Sequence, residues 1–161
     1  MSAHKPLEGV KVVELASFVA APTAGRMMAE MGADVIRVES TAGDPWRFYG
    51  ANCGLPITDE ENPLFDIYNL GKKDIQLNTK TPEGKEILFH LLDEADVFIT
   101  NNRLKSLVRS GLDYESLKDR FPKLIYGLVT GYGQTGPDVD APGYDGVAFF
   151  SRSGMLADMA E

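Results

Sequence analysis

The feature that most constrains the fold is the alternation of apolar runs with breakers over the first forty residues. Val10 to Leu15 holds four apolar residues in six and begins just after Gly9, the pattern of a buried strand. The short stretch Ala16-Ser17-Phe18-Val19-Ala20-Ala21 follows, small and largely apolar. Pro22 then stands where a first helical residue would, and Met27, Met28 and Met31 recur on one helical face. Gly32 stops that helix, and Ala33 to Glu39, with Val35, Ile36 and Val38, reads as a second strand. A strand, a helix and a strand joined by loops this short form a parallel unit, the half-module of a doubly wound sheet.

The remaining chain repeats the alternation. Ser40 to Pro63 is rich in Gly, Pro, Asp, Asn and Glu around Trp46, Phe48 and Tyr49, and reads as a long surface excursion of the kind that often carries function. Asp74 to Leu77 reads as a short strand. Thr81-Pro82-Glu83 opens the next helix, with Thr as N-cap, Pro in the first turn and Glu at the positive helix end. Ile87, Leu88, Leu91 and Leu92 continue it. Asp96 to Thr100 is a strand, Leu104 to Arg109 and Asp113 to Arg120 are short helices, and Leu124 to Thr130 is another buried strand. Tyr144 to Met155 reads as an amphipathic helix carrying Val147, Phe150 and Met155. Residues 1–161 are therefore expected to form one α/β domain, a Rossmann-like parallel sheet with flanking helices and right-handed crossovers. Such a domain usually continues past a terminal helix, so the chain is expected to be the front part of a longer one.

Composition narrows the function. With 43% hydrophobic and 25% charged residues, 161 residues suffice for an ordinary core. A formal net charge of −8 argues against a general nucleic-acid binder, which needs clustered Lys and Arg to neutralise phosphates. No apolar run reaches membrane-spanning length, and residues 1–8 lack the apolar stretch of a secretory signal, so no membrane association is expected and the cytoplasm is the default compartment. The lone Cys53 lies among loop residues, and no Cys/His spacing for a metal appears.

Two patterns bear on ligands. Gly131-Tyr132-Gly133-Gln134-Thr135-Gly136 spells the dinucleotide signature after an apolar strand. Pro137 and the residues to Pro142 continue it as loop, however, so no helix N-terminus is aimed at a pyrophosphate. The second pattern is the loop Ser17-Phe18-Val19-Ala20, at the carboxyl end of a strand, where open α/β sheets bind ligands; tight strand-to-helix packing explains its small residues equally well. Basic residues recur near the same sheet edge: Arg37, Lys72, Lys73, Arg103 and Arg109, beside Asn101 and Asn102. Singly each reads as a solvated charge, and together they could meet a nucleotide phosphate.

Pro6 to Leu15, Gly32 to Glu39, Lys80 to Lys85, Ala95 to Asn101 and Gly131 to Gly133 together closely resemble the family III CoA-transferases, in order and over nearly the whole chain. Gly143-Tyr144-Asp145 and Ser151-Arg152-Ser153-Gly154 resemble in particular the branch acting on 2-hydroxyacyl-CoA and arylacrylyl-CoA. The resemblance implies an interlocked homodimer, an N-terminal CoA-binding domain, no permanently bound cofactor, and coenzyme A thioesters and carboxylic acids as substrates. It implies an aspartate nucleophile in a Gly-Asp pair shortly after the helix matching Tyr144 to Gly154. Neither Asp145 nor Asp158 has that context, so the nucleophile is expected beyond Glu161.

The resemblance also assigns residues. Ser17, Phe18, Val19 and Ala20 fall on the loop meeting CoA and the acyl group, and Asn101, Asn102 and Arg109 near the body of CoA. Asp145 takes an auxiliary polar role; its other reading is a helix N-cap. Two departures stand out: Ser40 replaces an arginine frequent in the family, and Val19 and Ser17 occupy places where several members have Gln or His. A 2-methylacyl-CoA racemase shares the fold and is the alternative, with a non-catalytic CoA-binding fragment as another. Racemases carry a histidine before the aspartate matching Asp145, whereas this chain has Tyr144, and a phenol is a poor base near neutrality.

Overall fold

The computed structural model describes residues 4–58 and 60–160. Residues 1–3, Asp59 within the expected excursion, and Glu161 at the end of the expected domain lie outside that description. Five strands, β1 (Lys11–Leu15), β2 (Asp34–Glu39), β3 (Lys73–Gln76), β4 (Val97–Thr100) and β5 (Ile125–Leu128), form one parallel sheet in the order β3-β2-β1-β4-β5. This is the expected Rossmann-like α/β architecture, and the strand limits agree with the sequence reading to within two residues.

Period-two alternation gives β1, β2 and β4 two buried sides. Val12, Ala16, Val35, Val97 and Ile99 share a cluster with Ala21 of α1 (Ala20–Glu30). Val13, Val38 and Phe98 share the opposite cluster with Leu88 and Leu92 of α4 (Pro82–Glu94), Leu107 of α5 (Leu104–Ser110) and Leu117 of α6 (Tyr114–Leu117). Helices on both faces explain why the strands read as continuous apolar runs. The start of α4 follows its sequence signals, with the Gly84 N–H donating to Thr81 Oγ1 at 3.2 Å and Pro82 in the first turn. Asp113 likewise caps α6, which stops at Leu117, short of Arg120.

Two expectations for the first helix are corrected. Helix α1 starts at Ala20, so Pro22 is its third residue, still within the turn where a missing N–H costs nothing. Its methionine stripe does not face the core: Met27 and Met31 are 51% and 43% exposed, and Met28 alone packs against the α1 cluster. The buried face of α1 is Ala21, Pro22 and Gly25, because the helix lies so close to the sheet that larger residues do not fit. A Cβ at Gly25 would sit 1.8 Å from Glu14 Oε2.

The excursion after Ser40 is partly ordered as α2 (Trp46–Tyr49) and a 3-10 turn at Gly50–Cys53, and it leads into α3 (Pro63–Asn69), capped by Asn62. The segment from Tyr144 to Met155 is not one helix. Residues Gly146–Ser151 form a π-helix, with Arg152 N–H donating to Val147 O, and Gly154 at φ +84° breaks the chain before α7 (Met155–Asp158). Gly131 has a packing role: its backbone crosses Gly143, where an added Cβ would lie 2.4 Å from the opposing Cα. No helix begins within residues 131–136. Among the described residues no helix is long and apolar enough to cross a membrane.

Candidate ligand-binding crevice

The sheet order reverses at β1, with β2 on one side and β4 on the other, so the loops leaving the carboxyl ends of β1 and β4 turn apart. In doubly wound sheets that divergence is where ligands bind. Here the two loops are clasped. The Ser17 N–H donates to Asn101 Oδ1 at 3.0 Å, and Asn101 Nδ2 donates to Ser17 O at 2.7 Å. Below them Thr100 Oγ1 donates to Leu15 O at 2.8 Å and accepts from the Asn102 N–H at 3.2 Å. A side-chain amide bonded on both sides to one backbone unit ties the two loops together at the switch point.

Phe18 is the single non-glycine residue at positive φ (+63°) among the described residues. Its N–H donates to both carboxylate oxygens of Asp44, at 3.2 and 3.1 Å. The same carboxylate accepts from the Trp46 N–H at 2.8 Å and pairs with the Arg37 guanidinium. The Phe18 ring lies 6.3 Å from Trp46 and 5.7 Å from Tyr144, edge-on to the latter, and Trp46 stacks on Tyr49 at 4.6 Å.

Behind the loop is a buried charge network created by strand register. Glu14 of β1 lies opposite Arg37 of β2, which lies opposite Asp74 of β3. Arg37 is fully buried and reaches Glu39 at 2.8 Å, Asp74 at 3.2 Å and Glu14 at 3.5 Å. Lys72 Nζ contacts Glu14 at 2.8 Å and donates to Pro22 O at 2.8 Å and Asn69 Oδ1 at 3.0 Å. Arg47 meets Glu39 and Asp74, each at 2.7 Å, and lies over the Phe65 ring at 3.8 Å.

Four carboxylates thus face three cations, and burial shifts Glu14, Lys72 and Asp74 in particular. Burial raises Glu14 despite Lys72 and Arg37, and burial lowers Lys72 despite Glu14. Burial alone would raise Glu39, but the Arg47 hydrogen bond, the Asp44 N–H and the Arg37 charge outweigh it and lower the group. Burial lifts Asp74 to about 6, against the pull of Arg37 and with help from the Glu39 charge.

The expectations for Arg37 and Lys72 are therefore corrected. Neither presents a free charge to a phosphate, because both are turned inward onto carboxylates whose burial would otherwise be unaffordable in free energy. Lys73 instead pairs with Asp34 at 2.7 Å. The structure brings together Ser17, Phe18, Asn101, Asn102 and Tyr144, while Val19 caps α1 and Ala20 begins it. Arg103, at the N-cap of α5, and Arg109, in its last turn, are exposed, and no hydrogen bond or ion pair joins them to the crevice residues among the described residues. Asp145 caps the π-helix by accepting from the Gly146 N–H at 2.8 Å. Ser40 is exposed.

This geometry defines a domain of the doubly wound α/β class, with the clasped β1 and β4 loops at the strand-order switch. A family model for CoA-transferase family III matches residues 7–160, and the chain belongs to that family. It is 52% identical over 95% of its length to a cinnamoyl-CoA:phenyllactate CoA-transferase of Clostridium sporogenes, and 46% identical over 96% to an (R)-2-hydroxy-4-methylpentanoate CoA-transferase of Clostridioides difficile. A crystal structure of a CaiB/BaiF family protein from Brucella suis superposes with a TM-score of 0.86 at 42% identity, covering 95% of this chain and 40% of that one. The chain spans 37% and 39% of the two curated relatives.

Proposed function

We propose that this chain is the N-terminal, CoA-binding portion of a CoA-transferase that moves CoA between a 2-hydroxyacyl- or arylacrylyl-CoA and a free carboxylic acid. The observation that carries the reading is the clasped crevice at the β1/β4 switch, in a chain 52% and 46% identical to relatives named for such transfers. The Ser17–Ala20 loop would meet the thioester, Asn101 and Asn102 the body of CoA, and Arg103 or Arg109 its phosphates. Arg37 and Lys72 would support the loop from below, and Tyr144 would flank the acyl group.

An aspartate in the remainder of the protein would be the nucleophile. Its carboxylate oxygen attacks the acyl carbonyl, the C–S bond breaks, and CoA leaves as thiolate, giving a mixed anhydride. The thiolate attacks the aspartyl carbonyl and expels the donor acid, giving an enzyme thioester. The acceptor carboxylate then displaces CoA to form a second anhydride, and the thiolate attacks its acyl carbonyl to release the new acyl-CoA and free aspartate. The complete protein is proposed to be a cytoplasmic homodimer, with the dimer checked by light scattering.

The test is mass spectrometry of the complete protein incubated with an arylacrylyl-CoA and quenched with hydroxylamine, which captures activated carboxylates. Modification of one aspartate is expected. A protein that stays unmodified there but exchanges the α-proton of a 2-methylacyl-CoA with deuterated solvent would support the racemase instead.

A further inference from the structure

The left-handed Phe18 is out of place by its own chemistry, since a residue with a bulky side chain reaches that conformation only under strain and needs something to hold it there. The holder is Asp44, which is 2% exposed and lies on a different loop. Its two oxygens take the Phe18 N–H, one also takes the Trp46 N–H, and the Arg37 guanidinium sits against the other. One carboxylate therefore fixes the backbones of Phe18 and Trp46 together. The result is a continuous aromatic wall: Phe18 between Trp46 and Tyr144, with Tyr49 stacked behind Trp46.

We propose that Asp44 is a positioning residue that sets acyl-group selectivity by holding Phe18 in its left-handed turn against Trp46 and Tyr144. This rests on the reading that the crevice holds the acyl-CoA. Such a wall offers π-faces and apolar edges to a planar aryl or branched apolar acyl group, and a short straight chain gains little from it. Asp44 itself is buried behind the loop and acts through Phe18, not on the substrate.

The experiment compares kcat/KM for an arylacrylyl-CoA and for propionyl-CoA in the complete enzyme, its Asp44→Asn, Phe18→Gly and double variants. Glycine accepts the left-handed backbone without strain, so Phe18→Gly removes only the ring. In wild type the aryl thioester is preferred. Asp44→Asn and Phe18→Gly each lower that preference at least tenfold, mainly through KM for the aryl substrate, and the double variant loses no more than either alone. Should Asp44→Asn fail to fold, Asp44→Glu keeps the charge for Arg37, displaces the acceptor from the Phe18 N–H, and is expected to give the same loss. Proportional falls for both thioesters in the Asp44 variants would make Asp44 merely structural and overturn the proposal. So would a preference that survives Phe18→Gly. A wild-type enzyme that transfers CoA without aryl preference overturns this inference alone, whereas one that transfers no CoA overturns the proposed function with it.

Discussion

Along β1 and β2, Val13 and Val38 point to one face of the sheet and meet Leu88 and Leu92, while Glu14, Arg37 and Glu39 point to the other and meet charges. Both sides are fully buried, yet they are stabilised differently. The apolar face gains from removing area from water and depends little on direction. The charged face gains little net stability, because ion desolvation offsets attraction, but it permits one arrangement only. It sits under the carboxyl ends of the strands, where the crevice loops begin. The difference teaches that apolar clusters on both faces hold the fold, while the charges set into one of them align the site.

Two large perturbations test that division. Arg37→Met strips four carboxylates of their shared cation and should cost about 3–5 kcal/mol near neutral pH, shrinking at low pH as those groups protonate. Phe98→Ala should cost a similar amount, about 3–5 kcal/mol, with no such relief, because it leaves only a cavity. Urea unfolding of both variants at two pH values checks this; identical pH responses would erase the distinction between the faces.

A smaller effect probes how closely α1 lies on the charged face. Gly25→Ala places a methyl group against the Glu14 carboxylate and should cost about 1–3 kcal/mol by overpacking. Thermal melting reads it, and an unchanged midpoint would mean the helix has room to spare.

The smallest effect is electrostatic. Burial raises Asp74 in the fold from its ordinary 3.8 to about 6, so the folded protein favours the protonated form. Its stabilising contribution is present below about 3.8 and is lost as pH rises through about 6. Asp74→Asn removes that loss, so the stability difference between wild type and variant should shift against wild type across this window. Urea midpoints taken over the same range measure it, and a constant difference would show that Asp74 titrates normally.

Much of the fold was legible because its signals are local. Apolar runs marked β1, β2, β4 and β5, Thr81-Pro82 marked the start of α4, and Pro137 showed that residues 131–136 open no helix. The start of α1 was missed because Val19 caps it without a side-chain bond. Helix α3 was overlooked although Asn62-Pro63 carries the same cap-and-proline signal as Thr81-Pro82. The site was less legible. The loop and Asn101 were identified, but the Asn101 clasp spans 84 residues and the Asp44 bond to Phe18 spans 26 through a backbone N–H. No local pattern encodes either. Arg37 and Lys72 were read as outward-facing because a charge in a strand is ambiguous until register places Glu14, Arg37 and Asp74 side by side. Period two could have hinted at it, since Val35, Arg37 and Glu39 share one side of β2.

The most direct test of the account is calorimetric titration of the complete protein and its Asn101→Leu variant with CoA. The clasped crevice predicts saturable binding by wild type and at least tenfold weaker binding by the variant, with the variant still folded by circular dichroism. Equal affinity in the two proteins would place CoA elsewhere and contradict the assignment of the β1/β4 crevice.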